Sequence, residues 1–251
     1  MESENKGLPL LSGNALKVIA AVSMAVDHIG YLILPQITIL RIIGRFAFPI
    51  FAFMIAQGCR YTKNKKRYLA TISVLAAVCQ IVYYIADKSL YMCVLVTFSL
   101  SIVMIYALQY FKKMVLSPES TGIQRLFAAF VFVLSVTSVY ILNRIFIIDY
   151  GFWGCMVPVF AALLQPVGAK ESECEKKLNH NWLHVLTLSG GLILLAAERG
   201  GVQPFSLLAV PLLLLYSGKR GRLNMKYFFY IFYPLHLVVL EGIAMLIYYL
   251  K

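Results

Sequence analysis

The sequence predicts an all-α integral membrane protein, a polytopic bundle of about nine transmembrane helices. Three observations carry that expectation. Of 251 residues, 61% are hydrophobic and only 14% are charged; soluble domains run at about 45–50% apolar and roughly 25% charged. The mean hydropathy is +0.78. The apolar residues also gather into runs of about 18–22, the length that crosses a hydrocarbon core roughly 30 Å thick at about 1.5 Å per residue.

Taken in order, the runs place spans at 15–35, 39–60, 67–86, 90–111, 126–147, 150–168, 181–198, 203–217 and 227–250. The first is preceded by the polar segment MESENKGLPLLSGN, which lacks the short apolar core and small-residue cleavage pattern of a signal peptide. The first run is therefore read as a retained helix, after a short cytoplasmic segment at 1–13. It closes at Pro35, the second run closes at TKNKKR, the fourth at SPESTG (117–122) and the eighth at SGKRGR (217–222). The remaining spans rest on their apolar length. Because the eighth run is short, it is little tilted or re-entrant, so a count of eight to ten is compatible. The polar breaks are mostly too short for a soluble domain, which makes 1–251 a single membrane domain.

Orientation follows from the basic residues. All but Arg41, Arg45, Lys88, Arg144, Arg199 and Lys251 of the 23 lysines and arginines fall on the side of the N-terminus. By the positive-inside rule that side is cytoplasmic, which puts the C-terminus outside a plasma membrane. The same rule accounts for the net charge of +12, so no nucleic-acid partner is expected. The five cysteines (Cys59, Cys79, Cys93, Cys155, Cys174) lie mostly within apolar runs without CxxC spacing, and read as small buried hydrophobes.

Ionisable residues inside the spans are costly and usually face the bundle interior. Lys17 and His28 are eleven residues apart, which brings them to one helix face about 16 Å apart along the axis, with Asn14 near the same face. Asp27 points roughly 80° away from Lys17. In the second span Arg41 and Arg45 share a face at i,i+4, and Gly44 permits a close neighbour. Counted inward from the outer surface, Arg45 reaches the depth of Asp27 and His28. Lys17 is either a snorkelling interfacial lysine or a site residue. Asp27 and Arg45 form a structural ion pair, an anion-binding site, or both. The last span carries His236 near mid-membrane, Glu241 further out, and Pro234, which is expected to kink the helix. Asp149-Tyr150-Gly151 and Arg144 cluster at the outer end of the fifth and sixth spans. His180 and His184 are also i,i+4, but with no third ligand nearby no metal is expected. GxSxG, Walker and HExxH patterns are missing. Any catalysis must use His, Asp, Glu, Arg and Lys within the membrane.

At these residues the sequence resembles a known family. GNALKVIAAVSMAVDHIG, LRIIGRFAFPIFAFMIAQGCRYTKNKKRYL, DYG at 149–151, LLYSGKRG at 214–221 and YFFYIFYPLHL at 227–237 resemble the TraX membrane proteins, across about residues 13 to 250. That family is associated in conjugative systems with N-terminal acetylation of pilin. It is distantly similar to the larger acyltransferase-3 type membrane enzymes, whose first span carries K/R-x10-H, the spacing of Lys17 and His28. Arg45, Phe51, Phe53 and the run Lys63, Lys65, Lys66, Arg67 resemble their second span and inner loop, with Gln57 where a serine is usual. Tyr233-Pro-Leu-His236 resembles their late Y-x-x-H.

The resemblance implies acyl transfer, with acetyl favoured, from cytosolic acetyl-CoA or another acyl-CoA. The acceptor would be a pilin-like peptide or a small amine or hydroxyl compound in or across the membrane. His28 would be the general base, oriented by Asp27 or Glu241, with Arg41 and Arg45 holding the acceptor or stabilising negative charge. Lys17, the loop 63–67, and Lys219 and Arg220 would receive the phosphates of coenzyme A. Asp149, Tyr233, His236 and Glu241 would contribute to the acceptor site. A small-solute transporter and a non-enzymatic pilus or secretion assembly protein remain as alternatives.

Overall fold

The computed structural model describes residues 10–167, 173–222 and 225–249. It is all-helical. In chain order the helices are α1 (Gly13–Leu32), α2 (Thr38–Gly44), α3 (Ala47–Tyr61), α4 (Lys65–Asp87), α5 (Val94–Leu116), α6 (Gly122–Ile145), α7 (Gly151–Ala162), α8 (Glu173–Leu178) and α9 (Asn181–Arg199). A 3-10 segment (Gln203–Ala209), α10 (Val210–Leu214) and α11 (Lys226–Tyr249) complete the chain. Six helical stretches are long and apolar enough to cross a bilayer: Gly13–Leu32, Thr38–Tyr61, Lys65–Ile85, Val94–Leu116, Gly122–Ile145 and Asn181–Arg199. Three shorter apolar stretches, Gly151–Ala162, Gln203–Leu214 and Ile231–Ile247, fall on the other three runs.

The outward surface is what a bilayer requires. On α6, Ile123, Leu126, Phe130 and Val133 are all exposed, where a soluble helix would present charge.

The contacts divide the chain into two compact units, Met1–Met54 with Gly200–Lys251, and Ile55–Arg199. In the first, α1 begins at Ser12, whose hydroxyl accepts the Ala15 N–H at 3.2 Å. It stops before Pro35 and turns into α2. Gly30 sits so close to α2 that a Cβ there would lie 2.7 Å from Leu40 Cβ. The second apolar run is not one helix, as its length suggested. It breaks at Arg45–Phe46, where Arg45 and Phe46 N–H groups donate to Ile42 and Ile43, three residues back. Pro49 explains the break: it has no N–H for the Arg45 carbonyl, and its ring would clash there in a continuous helix. Leu16, Ala20, Ile50, Phe53 and Leu213 are fully buried in this unit's core.

The second unit packs α5 against α4, α6 and α7, and α7 against α9. Asn64 caps α4 through the Arg67 N–H (2.9 Å), and Thr121 with Gln124 closes a capping box on α6. The Ser101 hydroxyl donates to either Thr97 O (2.8 Å) or Cys155 O (2.7 Å). Lys112 Nζ donates to the carbonyls of Leu163 (3.0 Å) and Gln165, which close the end of α7. That helix ends at Ala162, short of the 150–168 span read from the sequence; residues beyond 167 in that span lie outside the described residues. Cys59, Cys79, Cys93 and Cys155 are buried free thiols. The Cys174 side chain lies outside the described residues.

Candidate functional site

The first unit gathers most of the ionisable residues that the sequence singled out. Asp27 on α1 receives Arg45 Nη2 on both carboxylate oxygens, at 2.6 and 2.7 Å. Arg41 Nη1 donates to Asp27 Oδ2 at 2.7 Å and to the Asp27 main-chain carbonyl at 3.1 Å. Arg45 also donates through Nε to Arg41 O (3.3 Å) and through Nη1 to Gln203 Oε1 (3.3 Å). Two guanidiniums therefore face one carboxylate, leaving a formal excess of one positive charge in a place where the Arg45 side chain is only 10% exposed. The expected Asp27–Arg45 pair is present, and Arg41 joins it. Both oxygens of Asp27 accept from arginine, which makes it a counter-ion to Arg41 and Arg45.

Gly44 makes this arrangement possible, because a methyl group there would overlap the Asp27 carboxylate. Gly44→Ala is expected to destabilise the protein by about 1–3 kcal/mol through overpacking. A melting temperature in detergent equal to that of wild type would show that Asp27 can move aside.

His28 lies one residue beyond Asp27. Its Nδ1 contacts Met24 O at 2.8 Å, and a carbonyl oxygen only accepts. Nδ1 therefore carries the proton in the neutral ring, and Nε2 carries the lone pair. His236 on α11 repeats the pattern: Nδ1 faces Phe232 O at 3.0 Å, and its Nε2 is buried without a partner among the described residues. The two rings meet edge to face, with centroids 5.0 Å apart. Phe232 stacks on His236 at 5.0 Å, and Tyr233 meets it edge-on at 5.5 Å. Glu241, five residues on, lies about 140° around the helix from His236.

At the other end of α1, the loop containing Lys219 and Arg220 is pinned to the helix start. Gly13 N–H donates to Lys219 O at 2.8 Å and Asn14 N–H to Arg220 O at 3.0 Å. Gly221 closes the loop with φ +95°, a value that favours glycine. Arg220 consequently lies near enough to Lys17 for the two positive charges to repel. Lys17 and His28 thus mark two ends of one uninterrupted helix, as their spacing required.

The other nominated residues belong to the second unit. Lys65 donates to Gln109 Oε1 at 2.6 Å and lies 5.1 Å from the Tyr106 ring centroid, while Lys63, Lys66 and Arg67 are exposed. Asp149 accepts the Tyr91 hydroxyl at 2.6 Å, and its carbonyl accepts from Thr97 at 2.6 Å. Burial and the adjacent carboxylate push the Tyr91 phenol up, so it stays a donor.

Sequence reading missed Gln203 and Ser206. Gln203 meets Arg45, and the fully buried Ser206 hydroxyl has no partner among the described residues. Their only signal was two polar residues flanking Pro204-Phe205 inside an apolar run.

The fold and these buried charges define a polytopic α-helical membrane protein with an ionisable site inside its spans. The chain belongs to the TraX family: the model described as TraX protein matches residues 12–244. It is 26% identical over 242 residues to "Probable fimbrial assembly protein FimC, serogroup H1" of Dichelobacter nodosus, covering 90% of this chain and 92% of that protein. It is 44% identical over 54 residues to an uncharacterised protein of Rickettsia prowazekii (strain Madrid E), covering 22% of this chain and only 21% of that one. No solved structure matches.

Proposed function

We propose that this chain is a membrane-embedded acyltransferase, moving an acetyl or other acyl group from cytosolic acyl-CoA to an amine or hydroxyl acceptor in or across the membrane. The observation that carries this reading is the imidazole pair. Both rings have Nδ1 tied to a main-chain carbonyl, which puts the lone pair of each neutral ring on Nε2, the atom a general base needs. The acceptor's N–H or O–H loses its proton to His28 Nε2 as its heteroatom attacks the thioester carbonyl. The C–S bond then breaks, and the proton leaves with coenzyme A as its thiol. The net positive charge of Arg41, Arg45 and Asp27 favours the oxyanion that forms between these events. Lys17, Lys219 and Arg220, about 16 Å down α1 from His28, supply cations for the phosphates of coenzyme A.

The name of the Dichelobacter relative supports a pilin-like peptide as acceptor. It equally favours a second reading, a pilus-assembly membrane protein without catalysis. Transfer of radiolabelled acetyl from acetyl-CoA to a pilin-type N-terminal peptide, by the purified protein in proteoliposomes, separates the two. No transfer to peptide, amine or hydroxyl acceptors would reject the enzyme.

The orientation proposed with this function puts the N-terminus in the cytoplasm and the C-terminus outside. A cysteine placed at the exposed Lys66 on a cysteine-free background is expected to resist an impermeant thiol reagent in intact cells, and to react after lysis. Strong labelling in intact cells would reverse the topology and place the coenzyme A cations on the wrong side.

A further inference from the structure

The second unit contains a cavity that the acyl-transfer reading does not use. It has a volume of about 380 Å³ and lies where α6 ends, α7 begins and α9 ends. That size falls within the range of about 300–1,000 Å³ typical of small-molecule sites. Tyr140, Asn143, Arg144, Phe152, Glu198 and Arg199 are among the residues that line it.

Two guanidiniums, Arg144 and Arg199, and one carboxylate, Glu198, share the lining. Among the described residues, no hydrogen bond or ion pair joins any of these three side chains to another. Gly151 is part of the reason they reach the cavity. It adopts φ +61°, and a Cβ there would lie 2.7 Å from Arg199 Nη2 and 3.6 Å from Glu198 Oε2. The Asn143 amide nitrogen is held by Val139 O at 2.9 Å, while its Oδ1 is buried without a partner among the described residues.

The surroundings are apolar. Tyr140 and Phe152 meet edge to face at 5.4 Å to form one wall. Ile145 and Ile147, beside Arg144, are 66% and 73% exposed. A cationic mouth next to exposed aliphatic and aromatic side chains is the pattern of a helix end at the bilayer surface. Arginine's planar fork matches phosphate oxygens in a bidentate way.

We propose that this cavity binds the phosphate of a glycerophospholipid, with the acyl chains lying along the exposed apolar side of α6. Among the lining side chains two arginines outweigh one carboxylate by a single charge, which suits a phosphodiester with its one negative charge; Asp149, engaged by the Tyr91 hydroxyl at 2.6 Å, is not part of the lining. Glu198 repels the more highly charged free phosphate. Asn143 Oδ1 offers an acceptor to a headgroup hydroxyl.

The test titrates the full-length protein in neutral detergent with dihexanoyl-phosphatidylglycerol, inorganic phosphate and dihexanoylglycerol in parallel, by calorimetry. The phosphatidylglycerol is expected to bind most tightly. The double variant Arg144→Gln/Arg199→Gln should weaken it by about tenfold or more, the loss of charge-assisted hydrogen bonds. Glu198→Gln should tighten it, a gain that a misfolded protein cannot produce. The proposal fails if inorganic phosphate or dihexanoylglycerol binds wild type equally well. It fails also if the arginine variant, folded by its melting profile, keeps its affinity, or if Glu198→Gln brings no gain.

Discussion

His28→Asn is expected to abolish most acyl transfer, by about 10²–10⁴-fold, the usual worth of a positioned general base. Asparagine is the informative replacement because its amide nitrogen can still donate to the Met24 carbonyl, 2.8 Å from His28 Nδ1 in the native protein. It has no atom with a basic lone pair where Nε2 stands. Packing against His236 is largely kept, and the chemistry is removed. The loss should appear in single-turnover transfer from radiolabelled acetyl-CoA, with coenzyme A binding unchanged. His236→Ala reports on the other ring, which stands 5.0 Å away. Lys17→Ala should instead weaken donor binding and leave turnover at saturation, because Lys17 lies at the other end of α1. A folded His28→Asn protein that transfers acetyl at the wild-type rate would remove the base and favour a transporter or assembly role.

Asp27→Ala should be the most damaging single substitution for stability, lowering it by about 3–5 kcal/mol. Asp27 is the counter-ion of both Arg41 and Arg45, at 2.7 and 2.6 Å. Without it two guanidiniums remain side by side in a low-dielectric site, each repelling the other. Arg45→Ala should cost less, because Asp27 keeps Arg41. The double variant Asp27→Ala/Arg45→Ala should recover part of the Asp27→Ala loss, since the repulsion between the two guanidiniums is then gone. Chemical denaturation in detergent measures all three. Additive losses across that cycle would mean that the residues touch without depending on one another.

Residues near His28 were legible in the sequence because helical geometry is fixed by local bonds. Eleven residues within one helix place Lys17 and His28 on one face whatever surrounds them, and α1 runs unbroken through both. The length of the apolar runs likewise set the helices, since a run of about 20 apolar residues satisfies its backbone in lipid as a helix, whereas a barrel strand needs only about 9–11. Even the Asp27–Arg45 pair was readable, because consecutive spans joined by a short turn must run antiparallel and meet at equal depth.

Tertiary structure alone decided the rest. The contact of Asp27 with both arginines depends on Gly44, which lets α2 approach α1 so closely that a Cβ there would overlap the carboxylate. The partnership of His28 with His236 joins residues more than 200 positions apart, and no periodicity within either helix encodes it. Gln203, at the start of the 3-10 segment that opens the eighth run, meets Arg45 across 158 positions, a contact that no local pattern encodes. The sequence by itself determined an all-helical membrane chain and the spacing of charges along each span. Which charges meet across spans was left to packing, because a helix fixes the direction of a side chain but not the neighbour it finds.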